Sequence, residues 1–550
     1  NIIWAPLKDG IKSVSLSANW MWPCNNPGEN FRLYQAVEAC SEFAISLGIN
    51  IPTGKDSLSM KQQYKNESVI APGTVIVSSS GHCDEITKVV TPNISPDGGY
   101  LYYLNLSFEK HSLGGSSLGQ VLNQIGDHAP GIGDSNKFKT AFNTIQKLIK
   151  KSSIYAGHDI SSGGMIVSLL EMCFPSKKIG MKINLDSLDN NDIVSVLFSE
   201  NSGLIVQSNE NIELIFKKLN IEFHLIGTAN RSGYLEIKKD DFNLSLNIDQ
   251  YRDIWFKTSY EFDKFQTKNN LAEKRFDNYK KNSLQFLFPK KFNGSMPSKK
   301  TNKIKAAVIR EKGSNSEREM AYAMHLSGFE VHDVHMTDLI SGRTNLEDFH
   351  FLVAVGGFSN SDVLGSAKGW AGAFLYNKKA RKSLEDFFKR KNTLSLGVCN
   401  GCQLFIELGL ITPDDSELPK MMINDSGKFE CVFTSVKIEK SSSIMLRGME
   451  GSVLGIWAAH GEGKFHLPLK EKKYQIPAKY YYRSYPSNPN GSDYNSAMLC
   501  SQNGRHLVMM PHLERSTFPW NWAHYPKDRQ DKASPWVMAF ENAFSWLSKR

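Results

Sequence analysis

At roughly 100–200 residues per domain, a chain of 550 residues has room for several domains and is far too long for a disulfide miniprotein or a disordered tail. Hydrophobic residues at 41%, aromatics at 11% and charged residues at 22% describe an ordinary globular chain able to bury several cores. The 65 basic and 56 acidic side chains leave a net charge of +9, spread along the chain, which is no footprint for nucleic acid or a membrane surface.

The cysteines at positions 24, 40, 83, 173, 399, 402, 431 and 500 are too sparse for a secreted disulfide framework, so reduced thiols in the cytoplasm are expected. No run approaches the roughly 18 apolar residues that span a bilayer, and no secretory leader opens the chain. Asn1-Ile2-Ile3-Trp4 enters at once into apolar sequence without an initiator Met, so the chain is expected to be cut from something longer.

In chain order, strand-like and helical pieces alternate over residues 14–60. Leu33, Ala36, Val37, Cys40, Phe43, Ala44 and Leu47 recur at helical spacing over residues 31–47, and Gly48 stops that helix. A strand is expected over 68–79, and the turn residues between Thr91 and Gly99 mark a boundary. A second unit then offers a strand at 100–106, helices at 118–125, 138–150 and 163–172, and short strands up to about residue 249. Residues 251–303 are rich in Lys, Asn, Asp and Phe without a sustained period and read as a linker. Their basic runs, Pro289-Lys290-Lys291 and Ser298-Lys299-Lys300-Thr301, have no interleaved stacking aromatics and read as solvated, not as a nucleic-acid patch.

Beyond the linker, strands at 305–310, 330–336, 350–355 and 393–398 alternate with helices such as 383–389. One helix is expected to start at Ser316, with Glu317 and Glu319 in its first turn and Met320, Ala323, Met324 and Leu326 facing inward. Alternating strands and helices predict a parallel sheet covered on both faces, with reactive groups at the carboxyl ends of its strands.

Gly397-Val398-Cys399-Asn400-Gly401 has the form G-x-C-x-G between a strand and the helical run 402–408. That is a nucleophile elbow, in which small neighbours permit a sharp turn and the helix N-terminus favours a thiolate. A buried structural cysteine is the bland alternative. A thiolate attacking an amide needs a proton shuttle and a group that orients it, and Pro511-His512-Leu513-Glu514 supplies both on alternate residues. The glycines of Val355-Gly356-Gly357-Phe358-Ser359 can turn backbone N–H groups toward an oxyanion.

These motifs, with Asp362-Val363-Leu364-Gly365, His460-Gly461-Glu462-Gly463 and Asn488-Pro489-Asn490-Gly491-Ser492, resemble the class I glutamine amidotransferase domain of the phosphoribosylformylglycinamidine synthase family. The resemblance implies that Cys399 attacks the glutamine carboxamide, that His512 is general base and acid, and that Glu514 orients it. It also implies that backbone near Gly357, Phe358 and Asn400 stabilises the oxyanion and that Gln403 shapes the glutamine pocket. Asn360-Ser361 stand where the family usually has Tyr-Gly, and Leu513 where it has Pro.

The likeness extends upstream through Leu16-Ser17-Ala18-Asn19-Trp20-Met21 and residues 51–60. Gly54-Lys55 is not a P-loop, because Gly48 is one residue too distant and Asp56 replaces the Ser/Thr. His158-Asp159-Ile160-Ser161-Ser162-Gly163-Gly164 resembles the family's H-D-x-S-D-G-G, with Ser162 for Asp, and Leu113-Gly114-Gly115-Ser116 resembles another family loop. Leu197-Phe198-Ser199-Glu200 also matches, while Asn201-Ser202 departs from Glu-Leu. The resemblance implies aminoimidazole-ribonucleotide-synthetase-like subdomains followed by a flavodoxin-like glutaminase, an α/β and α+β multidomain chain. The expected divisions are 1–98, 99–250, a linker at 251–303, and 304–550. It further implies a site for ATP or ADP with Mg²⁺, held by Asp159, Ser161 and Asn1, and a missing N-terminal half of the same enzyme. The implied reaction converts formylglycinamide ribonucleotide, ATP and glutamine into formylglycinamidine ribonucleotide. An isolated glutaminase with an inert regulatory partner, and a non-catalytic structural fragment, are the alternatives.

Overall fold

The computed structural model describes residues 1–297, 304–413, 415–526 and 528–550. The basic run from Ser298 to Thr301 thus lies outside the described residues. The chain divides into two compact units, 1–256 and 257–550, and both mix helices with sheets, as the expected α/β multidomain class requires.

The first unit carries a three-stranded sheet in the order Asn50–Ser57, Val14–Met21, Thr74–Gly81, and a seven-stranded sheet. Within the larger sheet, Tyr100–Asn105 pairs antiparallel with Gly203–Ser208. Alternate side chains of these strands enter two separate cores, Leu101, Tyr103 and Ile205 on one side and Tyr102, Leu104 and Val206 on the other. Period-two alternation explains why both strands are apolar throughout. The strand expected over 68–79 is two, Ser68–Ile70 and Thr74–Gly81, because Pro72 and Gly73 interrupt the ladder.

Gly48 ends the Glu29–Leu47 helix in the left-handed conformation, its N–H reaching the Ala44 and Ile45 carbonyls, as a C-terminal glycine should. The helix nevertheless buries only Ala44 and Leu47. Phe31 and Ile45 are 62% and 73% exposed, so its apolar periodicity does not correspond to a core face within this chain.

In the second unit, the segment expected to be an irregular linker contains the end of the Ile248–Gln266 helix and the whole Leu271–Asn278 helix. Arg275 explains why the latter is held. Its guanidinium bridges Asp263 at 3.0 Å and Glu430 at 2.9 Å and stacks over the Tyr485 ring. Leu287 and Val453 exchange backbone hydrogen bonds of 2.8 Å, covering the outer edge of the sheet.

That sheet has nine strands, ordered Phe329–His335, Ile304–Arg310, Phe351–Ala354, Leu394–Val398, His506–Met509, Ser496–Cys500, Gln475–Tyr480, Glu430–Ile438 and Val453–His460. The first five run parallel and the remainder pair antiparallel. The expected parallel sheet is therefore only half of a mixed one. The antiparallel half escaped the pattern because its strands follow one another without intervening helices. The Glu317–Leu326 helix buries Met320, Ala323 and Met324, but Ser316 does not cap it: its φ is 70° and its side chain makes no capping bond.

Candidate active site

The elbow is formed where the Leu394–Val398 strand meets the Asn400–Glu407 helix, with Cys399 at φ 51° and ψ −108°. A non-glycine residue held there stores about 1–3 kcal/mol of strain. The neighbours show why it is tolerated. A Cβ on Gly401 would overlap the Ala354 carbonyl oxygen, and one on Gly397 would lie 2.6 Å from the Gly401 oxygen. Gly401→Ala is expected to destabilise the unit by about 3 kcal/mol or more, read as a fall in unfolding midpoint. An unchanged midpoint would show that the turn has slack.

His512 arrives from the loop after the His506–Met509 strand, pinned by its N–H donating to the Trp457 carbonyl at 2.8 Å. Its imidazole and the Cys399 Cβ flank Gly356, where an added Cβ would stand 2.7 Å from His512 Cε1 and 3.4 Å from Cys399 Cβ. His512 Nδ1 and Glu514 Oε1 lie 2.7 Å apart, both side chains almost wholly buried. Burial pulls the imidazole pKa down, but the Glu514 carboxylate and Cys399 outweigh it and raise it to about 10. Burial likewise opposes the Glu514 charge, and the imidazole overcomes it, leaving the carboxyl below its usual range. A thiol, an imidazole and a carboxylate so placed are the set that a nucleophile, a proton carrier and an orienting group require.

Gly357 adopts φ 125°, and a side chain there would strike Ser314 and Asn315 at 2.5–2.6 Å. The loop is held by Asn315 N–H donating to the Gly356 carbonyl and Phe358 N–H donating to the Gly313 carbonyl, each at 2.8 Å. Phe358 therefore has its amide committed elsewhere and contributes its ring to the pocket wall, whereas the Gly357 N–H takes no part in that pairing. Asn400, the first helical residue, has an amide with no intrahelical acceptor. Its side chain accepts from Ser359 N–H at 3.1 Å and donates to Asp362 at 3.1 Å and to Gln403 at 2.8 Å. Gln403 in turn donates to the Glu462 carbonyl at 2.9 Å.

These residues enclose a cavity of about 220 Å³, below the roughly 300–1,000 Å³ of drug-sized sites and suited to one amino acid. Sequence reading quoted Asp362, His460 and Glu462 only as family matches and did not single out Arg515, yet all four line it with Cys399 and His512. Asn360, Ser361 and Asp362 are successive left-handed residues, so the strained turn that departs from the family's Tyr-Gly is what delivers Asp362. Burial raises the Asp362 pKa, Asn400 offsets part of this, and Glu462 adds to it. His460 is 2% exposed, yet neither ring nitrogen has a hydrogen-bond partner among the described residues, an arrangement that costs about 1–3 kcal/mol. Burial and His512 hold its pKa down at about 3, so it stays neutral.

In the first unit, Asp159 ends the Ile154–Asp159 strand and accepts from Trp4 Nε1 at 2.9 Å. Ser161 and Asn1 are exposed. Gly163 N–H, just before the Gly164–Cys173 helix, donates to Glu200 Oε1 at 2.8 Å, as does Ser117 N–H at 2.7 Å. The chain's own carboxylate thus occupies that amide. Asn201, where the family has Glu, is buried and ties Ser107, Lys110 and Ser112 together. No group of three or more His, Cys, Asp or Glu among the described residues could hold a metal ion. A larger cavity of about 640 Å³ beside Asn105, His111, Glu222 and His224 is lined by neither Asp159 nor Ser161. No helix among the described residues is long and apolar enough to cross a membrane.

Residues 303–547 match the family model of a CobB/CobQ-like glutamine amidotransferase domain. Residues 1–82 match that of an FGAR-AT PurM_N-like domain, and residues 97–240 that of the C-terminal domain of AIR synthase related protein. A probable phosphoribosylformylglycinamidine synthase of Arabidopsis thaliana, described as chloroplastic/mitochondrial, is 40% identical over 100% of this chain. The phosphoribosylformylglycinamidine synthases of Dictyostelium discoideum and Homo sapiens are each 37% identical over 99% of it. The chain spans less than half of these relatives' own length, 41%, 45% and 44% respectively. Along its whole length, the chain is similar to the phosphoribosylformylglycinamidine synthases.

Proposed function

We propose that this chain is the glutaminase and part of the synthetase of an enzyme that amidates formylglycinamide ribonucleotide to formylglycinamidine ribonucleotide, consuming ATP and glutamine in purine biosynthesis. The observation that carries the reading is the Cys399–His512–Glu514 constellation, of which Cys399 and His512 line a cavity sized for one amino acid. Cys399 Sγ bonds to the carboxamide carbon of glutamine while the carbonyl electrons move to oxygen, beside the amides of Gly357 and Asn400. His512 gives its proton to the nitrogen, the C–N bond breaks and ammonia leaves. Water, deprotonated by His512, then cleaves the thioester and releases glutamate. Asp362 and Glu462 face the α-ammonium group and Arg515 the α-carboxylate.

Ammonia passes internally to the synthetase, where phosphorylation of the amide oxygen turns it into a leaving group. Mg²⁺ would be held through the hard oxygens of Asp159 and Asn1, and Ser161 would meet the nucleotide; the metal would neutralise phosphate charge. These donors suit Mg²⁺ but fill few of its six positions, and Trp4 already engages Asp159, so waters and nucleotide phosphates would complete its shell. The exposed apolar side of the Glu29–Leu47 helix supports a missing half of the same enzyme as its cover. Free cysteines throughout support a reducing compartment such as the cytoplasm.

The test is the full-length enzyme supplied with formylglycinamide ribonucleotide, ATP and glutamine. Glutamate, ADP and the amidine are expected in equal amounts. Glutamate release without ADP formation would favour an isolated glutaminase, and release of neither a structural fragment.

A further inference from the structure

We propose that Asn424 is a positioning residue for the glutamine pocket, one that sets the place of Glu462, a role that rests on the glutaminase reading above. Asn424 lies just past the Lys420–Met422 strand and is 2% exposed. Its side-chain nitrogen donates to the His460 carbonyl at 2.6 Å and to the Lys428 carbonyl at 3.0 Å, and its side-chain oxygen accepts from Gly463 N–H at 3.0 Å. Its own N–H donates to the Gly461 carbonyl at 2.9 Å. One buried residue thus grips the turn at 460–463 by the backbone of His460, Gly461 and Gly463. Its bond to Lys428 ties in the next residue, Phe429, whose ring lines the same cavity as Glu462 and Cys399.

The turn needs such a grip because Glu462 stands between two glycines, which have no side chains to anchor it. Position 463 cannot carry an anchor, since a Cβ there would overlap the His460 ring. Gln403 donates to the Glu462 carbonyl at 2.9 Å, and Asn490, from the 488–492 motif, to the Gly463 carbonyl at 2.8 Å. The carbonyls of His460 and Gly461 and the N–H of Gly463 fall to Asn424. A neutral carboxamide fits this position, because it brings two N–H donors and an acceptor. Aspartate would set its charge against two carbonyl oxygens, and alanine would leave two carbonyls and an N–H unpaired in a dry interior. Glu462 faces the α-ammonium end of glutamine, remote from the bond that breaks. Moving it weakens the binding of substrate and transition state alike, which is read in KM and not in kcat.

The experiment uses the full-length enzyme as wild type, Asn424→Asp and Asn424→Ala. The KM for glutamine is expected to rise on the order of 10-fold in Asn424→Asp and further in Asn424→Ala, with kcat at saturating glutamine within about threefold of wild type. Two thiol-alkylating reagents separate the pocket from the nucleophile: iodoacetamide, which has no amino-acid end, and the diazo ketone analogue of glutamine, which has both α groups. Labelling of Cys399 by iodoacetamide should match wild type in both variants, whereas labelling by the analogue should slow in step with the rise in KM. Asn424→Asp keeps the size of the side chain and the acceptor for Gly463 N–H, and it decides the matter if the alanine variant does not fold. An unchanged KM, equal slowing with both reagents, or a loss confined to kcat would overturn the proposal. Wild-type Cys399 labelled by iodoacetamide but not by the glutamine analogue would instead overturn the glutaminase reading itself.

Discussion

Cys399→Ala in the full-length enzyme is expected to abolish glutamine-supported amidation, a loss on the order of 10³-fold or more, while ammonia at high concentration still supports turnover. The size follows from the chemistry, because no neighbouring group can replace the thiolate. Cys402 is fully buried, and burial raises its thiol well above the usual value. The sparing of ammonia-dependent turnover follows from the proposed separation of tasks, in which the synthetase would consume ammonia whatever its source. Alanine fits the elbow, because it removes only the sulfur from a position whose crowding comes from Gly397, Gly401 and Ala354. The checks are steady-state rates with each nitrogen donor and the unfolding midpoint. Equal loss with both donors, at unchanged stability, would sink the division between glutaminase and synthetase.

The parts of this site that were legible in the sequence are those whose chemistry demands a local pattern. Glycines stand two residues to either side of Cys399 because a Cβ at 397 would strike Gly401 and one at 401 would strike Ala354, and that steric requirement is written within five residues. Glu514 lies two residues from His512 because the carboxylate must reach Nδ1. The walls of the pocket are different. Asp362 is brought in by three consecutive left-handed residues, of which none is glycine, so the usual mark of such a turn is absent. His460 ends a strand that pairs antiparallel with Glu430–Ile438, far from Cys399 in sequence, and only the long-range sheet order places it. The helix at Leu271–Asn278 escaped for a related reason: it is held by Arg275 reaching Asp263, Glu430 and Tyr485, and ion pairs leave no periodicity.

Glu514→Gln should keep the geometry and remove the charge, which makes it the sharpest test of what the carboxylate does. In the wild type, Glu514 and Cys399 outweigh burial and raise the His512 pKa to about 10. Without the carboxylate, Cys399 alone opposes burial and the imidazole pKa falls. At neutral pH the proton destined for the leaving nitrogen is then held less firmly and the ring loses its orienting partner, and glutamine-supported turnover is expected to fall on the order of 10³–10⁴-fold. The alkaline limb of the pH–rate profile should move downward, so that residual activity improves as pH is lowered. Stability carries the same signature. A raised imidazole pKa contributes stability that is fully present below about 6.5 and lost as pH rises through about 10. Glu514, held below 4.5, contributes above that value and loses its share as pH falls through its folded pKa. The wild type should therefore show a fall in unfolding midpoint on the alkaline side that the variant lacks. A profile and a midpoint curve superimposable on the wild type would show that Glu514 acts on His512 by position alone.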